Sequence, residues 1–189
     1  MQTFAETDHS YHGEVISFLL ESSVDTIRIL RMGHISYTQL RGMGHPASRA
    51  LLYNFEQAAP RLIELQVLDA EVVWTRWAGS VTDYLDPNIR KLSSIRRLTL
   101  GLNGIAPSAR FQILATLKTL EHLSLASNAA TSTEPSYMIS HLDVLYFLGQ
   151  ADKLESLTLP RSHCRLWSDE ERELVEKKAR DNRVEFCLA

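Results

Sequence analysis

The clearest pattern of apolar and polar positions runs from Ile95 to Asn128. Ile95, Leu98, Leu100 and Asn103 recur as Leu120, Leu123, Leu125 and Asn128, an offset of 25 residues at every position. The shared frame is apolar-x-x-Leu-x-Leu-x-x-Asn. Its core alternates apolar with polar residues, the period of a strand with one buried face. Weaker copies occur at Leu62, Leu65 and Val67, and at Leu154, Leu157 and Leu159. Others are Val24, Ile27 and Ile29 and, for the last two slots only, Val184 and Phe186. The final core slot thus falls at Ile29, Val67, Leu100, Leu125, Leu159 and Phe186, which predicts about six strands. Phe4 lies 25 residues before Ile29 and marks a remnant strand of an earlier unit.

Helix signals fill the gaps. GEVISFLLES is the first candidate. Pro46 precedes ASRALLYNFEQAA, where Leu51, Leu52, Phe55 and Ala59 form one stripe and Pro60 is the stop. Pro107 opens SARFQILATLKT, with Phe111, Leu114 and Leu117 on one face. Pro135 and Ser136 open YMISHLDVLYFL, with Met138, Leu142, Leu145 and Leu148 in register and Gly149 as the stop. Ser168 and Glu171 have the spacing of a capping box for DEERELVEKKARD. That helix also carries Glu173–Lys177 and Glu176–Arg180 at the favourable i, i+4 spacing.

A strand, a loop and a helix repeated in one direction require parallel pairing through right-handed crossovers. One such unit cannot bury its apolar face alone, so the units stack. The expected fold is an α/β leucine-rich-repeat solenoid, a curved parallel sheet of about six strands inside and helices outside. It occupies residues 1–189 as a single domain. Residues 1–23 would be an N-terminal cap or remnant unit, and residues 168–189 a capping helix and last strand. Asn103 and Asn128 would bond backbone groups of neighbouring units where the chain leaves the strand. Trp74 and Trp77 fall in the least regular stretch and fit either core anchors or a contact patch.

Composition narrows the function without naming it. Apolar residues make up 44% and charged residues 23%, ordinary for a folded domain, and the formal net charge is −3. No global positive field therefore invites nucleic acid or anionic lipid. The start MQTFAETDHSYHG lacks a basic leader, and the apolar run 15–20 is too short for a membrane span. Two cysteines are too few for a disulfide scaffold. Together these place the protein in the cytoplasm or nucleus.

The seven histidines show no metal-ligand spacing, and no nucleotide-binding or nucleophile-elbow motif occurs, so no metal or cofactor is expected. Gly42 and Gly44 in RGMGHP precede a helix and offer a weak anion site. His163 and Cys164 are the one pairing that suggests a thiol nucleophile with a base, yet adjacent residues rarely face each other. Polar residues between the buried slots should line the inner sheet face. One row reads Arg28, Gln66, Thr99, Ser124, Thr158 and Glu185. The row beside it reads Thr26, Glu64, Arg97, His122 and Ser156. Solenoids offer such faces to extended polypeptides, so these residues are expected to bind a protein partner, with Arg97 and His122 as the leading contacts.

Three segments carry a family resemblance: LKTLEHLSLASN, ADKLESLTLP and LWSDEERELVEKKARDNRVEFCLA. They resemble the repeat portion of F-box/leucine-rich-repeat proteins, especially the fungal sets, over about residues 90–189. The resemblance implies recruitment of substrates to a ubiquitin ligase, with the repeats holding the target. The chain departs from that family in lacking an L-P-x-E-containing F-box segment ahead of the repeats. The functional expectation is a non-enzymatic protein-interaction module, with substrate recognition for a ubiquitin ligase as its narrower form. The alternatives are a truncated or degenerate structural repeat protein and a thiol-dependent enzyme using Cys164 and His163.

Overall fold

A computed structural model of the chain describes residues 2–6, 21–32, 53–54, 56–67, 89–102, 107–127 and 138–189. Among the described residues seven strands follow one another: β1 (Gln2–Glu6), β2 (Ile27–Met32), β3 (Glu64–Val67), β4 (Arg97–Leu102), β5 (His122–Ser127), β6 (Ser156–Leu159) and β7 (Glu185–Leu188). They form one sheet in chain order, and every neighbouring pair is parallel. Three α-helices are bounded among the described residues: α1 (Pro107–Leu114), α2 (His141–Gln150) and α3 (Asp169–Asp181). Residues 53–54 and 56–58 are also helical. The chain is an α/β protein built on an all-parallel sheet. The strand beyond the six expected is β1, where Phe4 pairs with Leu30 rather than with Ile29. Asn103, Asn128, Trp74, Trp77, Gly42 and Gly44 lie outside the described residues.

The doubled frame forms the core. Ile95, Leu98 and Leu100 are buried, as are Leu120, Leu123 and Leu125, Leu154, Leu157 and Leu159, and Leu62 and Leu65. Each such side chain contributes about 1.5–3 kcal/mol by leaving water. Strand alternation places the residues between them on the opposite face.

A further slot lies three residues before the first. The N–H at the first slot bonds the carbonyl three residues earlier in four units: Leu62 to Ala59 (3.3 Å), Ile95 to Leu92 (3.2 Å), Leu120 to Leu117 (3.3 Å) and Leu154 to Ala151 (3.2 Å). Ala59, Leu92 and Leu117 are buried, and Ala151 packs against the core. The turn that delivers the chain into β3, β4, β5 and β6 is thus anchored by its own small or apolar residue.

This added slot explains a register error. The text suggests Val24, Ile27 and Ile29 as the core of the second unit. The sheet instead pairs Leu30 with Leu65 and Met32 with Val67, a displacement of three residues. Val24, Ile27 and Leu30 are spaced by threes, as are the added slot, the first slot and the next. The shorter frame therefore matches at two positions. A shift of three is odd, so it exchanges the faces of the strand. At the other end, Phe186 pairs with Leu157 and Leu188 with Leu159, so the slots are Phe186 and Leu188 rather than Val184 and Phe186. That displacement is two residues and leaves the faces unchanged.

The helices cover the leucine side. α1 packs on α2 and α2 on α3, and the Phe111 and Phe147 rings meet at 5.7 Å between centroids. α2 begins later than its Pro-Ser signal suggested. The Ser140 hydroxyl caps it by accepting from the Leu142 N–H, and Met138–Ser140 are not helical. Its buried stripe is Val144, Phe147 and Leu148. Leu142, expected inside, is 63% exposed, because it falls off that stripe by half a turn. Gly149 is still helical, and the end comes at Ala151. α3 has both bonds of the capping box between Ser168 and Glu171, and the Arg180–Glu176 pair forms at 3.7 Å. The Asn182 side-chain amide donates to the Leu148 carbonyl, tying the end of α3 to α2.

Leu123→Ala should cost about 2–5 kcal/mol in urea unfolding, because the site is enclosed and collapses little. Leu142→Ala should stay within about 0.5 kcal/mol. Equal losses at the two positions would contradict the face assignment.

Candidate functional site

The face opposite the leucines carries two polar rows in register. The first reads Ile29, Glu64, Arg97, His122, Ser156 and Glu185 across β2–β7. The second reads Arg31, Gln66, Thr99, Ser124, Thr158 and Cys187. Nine of the eleven expected face residues fall in these rows, with Glu185 beside Ser156 rather than Thr158 because β7 is displaced by two. Thr26 precedes β2 and lies outside them, as does Arg28. Arg28 aligns one position ahead, with Ile63, whose N–H bonds the Arg28 carbonyl at 2.8 Å. Its guanidinium turns back onto the carbonyls of Ile27 (3.0 Å) and Asp25 (3.4 Å). The cause is the three-residue displacement of β2, which puts Arg31 where Arg28 was expected.

Contacts between strands organise the rows. The Glu64 carboxylate lies between two arginines, hydrogen-bonded to Arg31 Nε through Oε1 and 3.8 Å from Arg97 Nη1 through Oε2. Glu64 and its hydrogen bond hold the Arg31 guanidinium above its ordinary pKa, so it stays charged. Arg97 keeps 64% of its side chain exposed. His122 Nδ1 lies 2.9 Å from the Ser156 hydroxyl, and its Nε2 is 3.8 Å from Glu155 Oε2. Just ahead of the strands, Arg96 faces Glu121 at 3.6 Å. Thr99, Ser124 and Thr158 are half-buried and lie between these charged groups and the far ends of their strands.

Serine, histidine and glutamate in contact invite comparison with a hydrolytic triad. In a triad the acid bonds the ring and fixes its tautomer and orientation. Glu155 at 3.8 Å is beyond hydrogen-bond length and 68% exposed. The arrangement orients the imidazole as a donor or acceptor on an open sheet and supplies no oriented base.

His163 and Cys164 have a different setting. Both lie in the 3-10 turn Arg161–Cys164 after β6 and are buried. The His163 carbonyl accepts from the Ile139 N–H at 2.8 Å, and the Ile139 carbonyl accepts from Trp167 Nε1 at 2.7 Å. These bonds fasten the segment before α2 to the loop before α3. His163 Nδ1 lies 3.1 Å from the neighbouring Ser162 hydroxyl. Burial pushes the Cys164 thiol up to about 12 against a smaller opposing pull from Arg172. Burial also pushes the His163 imidazole below its ordinary value. A thiol held protonated and 1% exposed is a poor nucleophile. Cys187 is exposed on β7, and both cysteines are free.

Among the described residues no cluster of histidine, cysteine, aspartate or glutamate could hold a metal ion. Among them, no helix is long and apolar enough to cross a membrane. No protein-family model matches the chain, and no curated protein sequence matches it.

Two measurements probe the buried pair. At pH 8 a thiol-reactive probe should label Cys187 rapidly and Cys164 only after unfolding. Rapid labelling of both in the native protein would show an accessible thiolate at Cys164. His163, held below its usual 6.5, resists a proton that the unfolded chain accepts. Its contribution to stability is complete above about 6.5 and declines as pH falls below that value. His163→Gln should flatten this acid slope in urea midpoints taken across pH.

Proposed function

We propose that the chain is a leucine-rich-repeat solenoid that works as a non-enzymatic protein-interaction module, with the polar sheet face as its docking surface. The observation that carries this reading is the in-register row Glu64, Arg97, His122 and Ser156, joined across strands and open to solvent at Arg97. Parallel strands in chain order with helices on the leucine side support the solenoid architecture. A flat row of paired charges and hydroxyls suits a polypeptide, which offers backbone and side-chain hydrogen bonds along its length. It does not suit a phosphate backbone, because carboxylates interrupt the arginines.

Recruitment to a ubiquitin ligase is the narrower form of the proposal and rests on the resemblance of the second half to F-box/leucine-rich-repeat proteins. The partner would then be the ligase substrate, held by Glu64, Gln66, Arg97, Thr99, His122, Ser124, Ser156 and Thr158. Burial of Cys164 favours the interaction reading over thiol catalysis. A structural remnant would instead be expected to lack cooperative folding as a monomer.

The test is capture of partners from the native cell with the full chain and with an Arg97→Glu/His122→Glu variant. The variant should lose the specific partners while its thermal midpoint stays within a few degrees, since surface changes usually cost within about 0.5 kcal/mol. Retention of every partner by a folded variant would place docking elsewhere.

A further inference from the structure

Counted together, the charges of the docking face and of the row just ahead of it, which holds Arg28, Arg96, Glu121 and Glu155, are sorted by strand. Over β2–β4 and the residues leading into them, Arg31, Arg96 and Arg97 stand against Glu64, a net charge of +2. Over β5–β7 the corresponding residues are Glu121, Glu155 and Glu185, a net charge of −3 with His122 neutral. Arg28 is left out because it turns back onto its own turn carbonyls. The Arg96–Glu121 pair at 3.6 Å straddles the boundary between the halves.

Internal pairing leaves both halves in need of a partner. Among the described residues Glu64 is the single carboxylate paired with Arg31 and Arg97, so one negative charge answers two positive ones. On the other half, among the described residues, Glu155 faces the imidazole of His122 at 3.8 Å and no arginine or lysine. Across the middle run Gln66, Thr99, Ser124 and Thr158, neutral side chains that can bond a peptide backbone.

Resting on the docking proposal above, we infer that the partner presents an extended, charge-bipolar segment. Its acidic residues seat over β2–β4 and its basic residues over β5–β7. The spacing follows from the sheet. Arg97 and Glu155 are two strand intervals apart, about 10 Å, or about three extended residues. Arg31 and Glu185 are five intervals apart, about 24 Å, or about seven residues. The segment is therefore about eight residues long, with one sign of charge in each half. Complementary potentials of this kind set orientation and speed encounter. A nucleic acid or an anionic membrane would meet the arginines but be repelled by the three glutamates.

Four fluorescein-labelled synthetic peptides of about eight residues test this: glutamates followed by lysines, the same composition alternating, all glutamate, and all lysine. Anisotropy titrations use the full chain at low salt. The bipolar peptide should bind about tenfold more tightly than the alternating one, and raising salt should erase the difference. Arg31→Glu/Arg97→Glu, or Glu155→Lys/Glu185→Lys, should each weaken the bipolar peptide. Combining all four substitutions should restore its binding, because the peptide turns round on an inverted face. Equal binding of bipolar and alternating peptides, lost in the Arg97→Glu/His122→Glu variant, overturns the polarity and leaves the docking face standing. Absence of any peptide binding, with captured cellular partners still lost in that variant, has the same meaning. Absence of peptide binding with partners retained overturns both.

Discussion

The structure depends on one backbone arrangement, the bonds between residues that lead into successive strands. Ile63 N–H bonds the Arg28 carbonyl, and the Ile63 carbonyl accepts from Arg96 and Arg97. The Arg96 carbonyl accepts from Glu121 and His122, and the Glu121 carbonyl from Glu155 and Ser156. The Glu155 carbonyl then accepts from Glu185. These distances lie between 2.7 and 3.1 Å. A buried peptide group without a partner is costly, so each unit must present this carbonyl to the next at one height. That requirement sets the register of all the strands from β2 onward. The register in turn decides which side chains meet the helices and which meet solvent.

Much of this was legible because burial writes a period into the chain. Where two copies of the frame stand 25 residues apart, pairing follows the text: Leu98 meets Leu123 and Leu100 meets Leu125. Legibility failed where spacing was ambiguous. Val24, Ile27 and Leu30 repeat by threes, and a frame of three slots cannot choose between two alignments. The fourth slot, filled by Ala59, Leu92, Leu117 and Ala151 in other units, resolves it. The observed register places Val24 in that slot, whereas the alternative would place the exposed Glu21 there. The signal was present, but its small and varied residues hid it among ordinary turn positions.

The candidate face was legible in membership and obscure in chemistry. Period two assigns Arg97, Thr99, His122 and Ser124 to one side once the leucines are assigned to the other. Nothing in that period reveals that Glu64 serves two arginines or that His122 reaches Ser156, because those contacts join residues about 33 or 34 positions apart. Arg31 was missed for the same reason as the register. The pairing of His163 with Cys164 looked chemical as adjacent letters. In space both side chains are buried in the turn that follows β6, where a charge would be poorly solvated.

Glu64 connects the scaffold to the surface. Its side chain is only 13% exposed, so its charge needs the arginines more than they need it. In the alternative register of β2, Thr26 would align with Glu64 and Arg28 with Gln66, so an arginine would stand beside the carboxylate in either alignment. The Glu64 charge therefore does not choose between them. The added turn slot does, because the observed register fills it with Val24 and the other would fill it with the exposed Glu21. That choice decides which arginine answers Glu64 and which one lies in line with Thr99, Ser124 and Thr158. The positive half of the surface thus takes its identity from the constraint that orders the core.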